Sequence, residues 1–170
     1  MLHEIRSRFV MANGVRTHYW ESGNGGPTIV ALHGGGAGSS GMAGMGPLLE
    51  RLGGDARCIA PDSVGGFGLT DPYAPVPYGL MSRVQHLADF MDAMCLDKVS
   101  MIGNSHGAWT GAQYAILHPD RVEKMVLISS LTIANSLNIP QRPTEALKAL
   151  NDYDGTREGM RRILQALIID

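Results

Sequence analysis

Cysteine is scarce in this chain, there is no basic stripe, and no long apolar run occurs. Each absence removes a class of function. The two cysteines, Cys58 and Cys95, fall in an expected strand and at an expected helix end. They read as two free, mostly buried thiols of a reducing compartment and not as a disulfide framework. No zinc-type spacing exists, and nothing calls for a metal or a cofactor. The formal net charge is only −2, which argues against nucleic acid or an anionic membrane as partner. No run approaches the ~20 apolar residues that span a bilayer. Met1–Arg8 alternates charged and apolar residues and lacks the apolar core of a signal peptide. The default is a soluble cytoplasmic protein that acts on a small molecule. Its 170 residues suffice for one domain with a real core.

What is abundant is glycine, with 22 residues, many of them in two loops. Phe9–Met11 and Val15–Glu21 read as strands joined at Asn13-Gly14, a strong hairpin signal. Strand character recurs at Thr28–Leu32, Arg57–Ala60, Lys98–Ile102 and Val122–Ser129. Between these lie a glycine-rich loop (His33–Gly46) entering a short helix (Pro47–Leu52), a long loop (Pro61–Pro77), and helices over Met81–Met94 and Ala108–His118. A hairpin followed by strand–helix repeats predicts an α/β fold with a mostly parallel sheet. The character changes after Ser130. Leu131–Pro143 reads as irregular, Thr144–Leu150 as a turn or two of helix, and Thr156–Ile169 as a helix. That helix stripes Met160, Ile163, Leu164, Leu167 and Ile168 on one face, which must be buried on something.

Gly103-Asn104-Ser105-His106-Gly107 lies between a buried strand and a helix. A G-x-S-x-G in that context is a nucleophile elbow, whose sharp turn lifts the serine hydroxyl above the sheet at a helix N-terminus. His33-Gly34-Gly35-Gly36 follows an earlier strand. Such a loop supplies one backbone N–H to an oxyanion hole, and the residue after the nucleophile, His106, supplies another. A rival reading exists: Gly36 to Gly41 is also a G-x-G-x-x-G, with Asp62 ending the next strand, as in dinucleotide sites. The three preceding glycines, with Gly44 and Gly46, suit that helix start badly, and the elbow is left unexplained. Asp62–Asp71 reads as a structural loop. Among the histidines, His3 and His18 are expected on the surface and His86 in solvent, and His118 sits at a helix end. None follows a late strand, so Ser105 has no evident base.

On these residues the chain resembles the α/β-hydrolase superfamily, and within it the meta-cleavage-product hydrolases, which cut a C–C bond in 2-hydroxy-6-oxo-hexadienoates. The motifs are Leu32–Gly36 with Gly38, Asp62 with Gly66-Phe67-Gly68 and Asp71, the elbow with Asn104 before its serine, and His118-Pro119-Asp120-Arg121. The resemblance runs from about Val15 to Asp170. It implies Ser105 as the serine that attacks the carbonyl or activates water, Gly35 or Gly36 and His106 as oxyanion donors, and Asn104 as a dienoate contact. It also implies that residues 1–130 are the N-terminal part of the hydrolase core and 131–170 the start of a lid, the fold being truncated after its sixth strand. The family's acid, histidine and lid arginine have no match here. Ester cleavage by the same fold, or a catalytically inactive binding role, are the alternatives. An exposed sixth-strand edge and a bare lid helix lead us to expect association between copies.

Overall fold

The computed structural model describes residues 3–36, 38–77 and 79–167. It divides into two compact units, Met1–Ile133 and Ala134–Asp170. In the first, β1 (Ile5–Ala12) and β2 (Val15–Ser22) form the expected hairpin. Asn13 and Gly14 both take positive φ, 46° and 83°, the geometry a tight two-residue turn requires. The other strands are β3 (Thr28–Leu32), β4 (Arg57–Pro61), β5 (Val99–Asn104) and β6 (Val122–Ile128), and the sheet order is β1-β2-β4-β3-β5-β6. The first two pairings are antiparallel and the last three parallel.

Alternation along β3 and β4 explains why helices cover both faces. Val30, Leu32 and Ile59 join one buried cluster, with Phe90, Met91 and Tyr114. Ala31, Cys58 and Ala60 point the other way, joining Met45 and Leu49. The period of two sends neighbours to opposite sides. Helices α2 (Leu80–Ala93) and α3 (His106–Leu117) therefore pack on one face and α1 (Gly41–Leu52) on the other. The strand β6 lies at the sheet edge, with Val126, Leu127 and Ile128 each about half exposed.

Several expectations are corrected. Cys58 is buried, but Cys95 is exposed. It follows the end of α2 at φ 52°, a left-handed position that turns the chain out of the helix. Residues 131–143 contain a short helix, α4 (Leu131–Ser136). In the second unit, α5 (Glu145–Asn151) is capped by Thr144, whose Oγ1 accepts the Leu147 N–H at 3.1 Å, and α6 spans Arg157–Leu167. The stripe of α6 buries Ile163, while Leu164 and Leu167 stay half exposed. Ile168 and Ile169, the end of the expected helix, lie outside the described residues.

His86 is not solvated: it is 4% exposed. Its Nε2 lies 2.8 Å from Thr17 Oγ1. The Thr17 hydroxyl donates to Val15 O, so the imidazole is the donor in that pair. Burial is the main cause that pushes the His86 pKa down to about 4, from 6.5. The unfolded chain therefore binds a proton between pH 6.5 and 4 that the folded chain refuses, and stability falls as pH drops through that window. We predict a loss of about 3 kcal/mol from this residue alone by pH 4. Urea midpoints measured from pH 7.5 down to 4 should fall steeply in the native protein and less so in His86→Gln. Parallel pH curves for the two would contradict the assignment.

Candidate active site

The elbow forms as its glycines require. Ser105 sits between β5 and α3 at φ 54° and ψ −117°, a strained conformation for a residue with a side chain. Two backbone bonds hold it there. Its N–H donates to Ile128 O on β6 at 2.8 Å, and its carbonyl accepts the Trp109 N–H at 3.2 Å. Gly103 and Gly107 flank a crossing of backbones. A Cβ at Gly103 would lie 2.6 Å from Ala108 Cα, and one at Gly107 would lie 2.6 Å from His33 O. Ser105 is half-buried and is not packed into the interior. Among the described residues no side chain caps α3, and the first N–H groups of a helix have no partner within the helix itself.

The glycine loop runs alongside. A Cβ at Gly34 would sit 3.4 Å from Ser105 Cβ and 3.9 Å from Asn104 Nδ2. One at Gly35 would collide with the His106 ring at Nδ1. Thus Ser105, Asn104, His106 and Gly35 share one location. Gly36 is exposed, and its carbonyl accepts the Ser39 N–H at 3.1 Å. The His106 ring is overlaid by the loop, and its Nδ1 is buried without a hydrogen-bond partner. Burial first, and the nearby Arg83 charge second, lower its pKa.

Two consecutive residues at the end of β4 clamp the ends of this loop. At its start, His33 Nε2 accepts the Ser63 N–H at 3.0 Å. That leaves the proton on Nδ1, which donates to Gly34 O at 2.6 Å. Burial is the main cause that lowers the His33 pKa and keeps the ring neutral. At its end, Asp62 Oδ1 accepts the Gly41 N–H, the first of α1, at 2.6 Å. Asp62 Oδ2 accepts from Leu69 N–H at 2.8 Å and from His18 Nδ1 at 2.7 Å. Both Asp62 and His18 are fully buried. This overturns the surface placement of His18, whose Nε2 meets Ser7 Oγ at 2.8 Å. It also removes the dinucleotide reading, since the carboxylate needed for a ribose is sealed inside. The structural reading of Asp62 therefore holds, and sequence reasoning missed only its histidine partner.

The remaining histidines lie elsewhere. His118 stacks on Tyr114 with ring centroids 4.7 Å apart, and His3 lies against the Gly53–Gly54 turn. Among the described residues, no imidazole or carboxylate hydrogen-bonds the Ser105 hydroxyl. No group of three or more His, Cys, Asp or Glu there could hold a metal ion, and no helix is long and apolar enough to cross a membrane.

A sequence profile of the alpha/beta hydrolase fold matches residues 27–163. The chain is 39% identical over 164 residues to a 2-hydroxy-6-oxo-6-(2'-aminophenyl)hexa-2,4-dienoic acid hydrolase of Metapseudomonas resinovorans, covering 96% of this chain and 53% of that protein. It is 34% identical over 163 residues to a 2-hydroxy-6-oxo-2,4-heptadienoate hydrolase of Pseudomonas putida, covering 96% and 56%. The solved meta-cleavage product hydrolase of Pseudomonas fluorescens IP01 superposes with a TM-score of 0.76 at 33% identity, covering 93% of this chain and 55% of that one. The chain spans about half the length of the relatives it matches.

Proposed function

The chain belongs to the alpha/beta hydrolase fold family, and from that premise we propose that it carries the nucleophile of a hydrolase cleaving a C–C bond in a 2-hydroxy-6-oxo-dienoate. The observation that carries this reading is Ser105 at φ 54° with the glycine loop against its Cβ. The relatives, named as dienoate hydrolases, support the substrate class.

In this proposal Ser105 Oγ attacks the ketone carbon or activates water to do so. The oxygen that becomes negative is met by the His106 N–H, at the start of α3, and by Gly35 or Gly36. Fixed amide donors of that kind are worth several kcal/mol, about 10²–10³ in rate for one donor. Asn104, whose amide faces Gly34, contacts the dienoate. The serine still needs a base. His18, His33 and His86 are held by other partners, and the His106 ring is covered by Gly35. We infer that the base comes from outside these 170 residues.

Two assays in parallel test this. With 2-hydroxy-6-oxo-6-phenylhexa-2,4-dienoate, the chain should give a saturable absorbance change, weakened about tenfold in Asn104→Ala by loss of one polar contact. With p-nitrophenyl acetate it should be nearly inactive, because loss of the base typically costs orders of magnitude. Ser105-dependent ester turnover without dienoate binding would favour a carboxylesterase instead.

A further inference from the structure

Arg83, on the first turn of α2, is half-buried. The other half-buried arginines of the sheet and its flank hold carboxylates: Arg57 pairs with Glu21 at 2.8 Å and Arg121 with Asp92 at 2.6 Å. Arg83 has no hydrogen bond or ion pair among the described residues. What it touches is Phe67, with its guanidinium carbon 4.4 Å from the ring centroid. A guanidinium laid on a ring spends one face and leaves its N–H edge free. Its desolvation is uncompensated, and burial accordingly lowers its pKa.

That free edge borders a cleft of about 500 Å³ between the Val64–Phe67 loop, the Asp71–Pro77 segment and the start of α2. Val64, Phe67, Pro72, Pro77 and Leu80 give it apolar walls. Asp71 also lines it, but its Oδ1 already accepts the Tyr73 N–H at 2.9 Å, and it does not pair with Arg83.

We propose that this cleft binds a small organic carboxylate, its apolar body against Phe67 and the prolines and its carboxylate on the Arg83 guanidinium. The planar fork matches a carboxylate with two parallel hydrogen bonds. Inorganic anions lack the apolar body, and neutral aromatics lack the charge. The cleft adjoins the glycine loop, since Phe67 also lies against His33 with ring centroids 5.4 Å apart, but the carboxylate site on the Arg83 fork stands whether or not the elbow is catalytic.

Benzoate, acetate and inorganic phosphate are the probes, titrated calorimetrically into the native chain. Benzoate should saturate a single site and bind several-fold tighter than acetate or phosphate. Arg83→Gln should weaken it at least about tenfold, and Arg83→Lys less, because the fork is lost but the charge kept. Absence of saturation, equal affinity in Arg83→Gln, or phosphate binding as tightly as benzoate would overturn the proposal. Should Arg83→Gln fail to fold, amide shifts of the native chain decide. Benzoate-induced shifts centred on residues 64–67 and 80–83 support the site, and shifts centred on residues 34–36 and 105 overturn it.

Discussion

Gly107→Ala is expected to destabilise the protein by about 3 kcal/mol, the upper range for overpacking a closed site. The new methyl would meet Leu32 and His33 carbonyl groups. These are backbone atoms, not the mobile end of a side chain. Leu32 is hydrogen-bonded into the sheet beside Gly103, and His33 is anchored through Ser63, so neither can retreat cheaply. Relief would require α3 to move away from β3, which would also shift Ser105. Gly25→Ala is the control. Its added Cβ meets nothing within 4 Å, and surface changes of that kind stay within about ±0.5 kcal/mol. Urea denaturation of the two variants measures the difference. Equal midpoints would mean that the elbow helix and the glycine loop are not in the close contact described.

Asp62→Ala is the second large effect, expected at about 3–5 kcal/mol, the cost of breaking a buried charged network by removing one partner. The carboxylate serves the Gly41 N–H, the Leu69 N–H and the His18 imidazole at once. Its removal leaves the buried Gly41 N–H and His18 imidazole unmet, each worth about 1–3 kcal/mol, together with the part-buried Leu69 N–H. Asp62→Asn should fare little better. One amide oxygen can keep Gly41, but the NH2 then faces two donors. Gly68→Ala should act through the same network, because its Cβ would collide with the Asp62 carboxyl group. Chemical denaturation of all three variants provides the test. A cost below about 1 kcal/mol for Asp62→Ala, the range of an exposed pair, would show that the carboxylate is not the tie between β2, α1 and the loop after β4.

The parts of the molecule that were legible in the sequence are those whose chemistry is local. Asn13-Gly14 announces its turn because both residues accept positive φ. The elbow announces itself because the serine, its glycines, the strand before and the helix after are contiguous. The placement of Gly34 and Gly35 against Ser105 and His106 follows from one further strand. Burial of His18 and His86 was not legible. Their partners Ser7, Asp62 and Thr17 are distant or on other strands, and a polar residue on a two-sided buried strand looks like one on a surface strand until its partner is known. The helix α4 was hidden because six residues show too little periodicity. That Arg83 has no ion-pair partner among the described residues has no signature in the sequence, since it depends on what surrounds it in space.

The pinned hydroxyl of Ser105 is tested most directly by treating the chain with an aryl fluorophosphonate and mapping the adduct by mass spectrometry. An oxyanion hole and binding alone leave about 10³–10⁴-fold acceleration over water when a triad member is missing. The adduct should therefore form on Ser105 well ahead of an exposed hydroxyl such as Thr144, and should vanish in Ser105→Ala. Modification spread evenly over the serines, or a rate unchanged in Ser105→Ala, would contradict it.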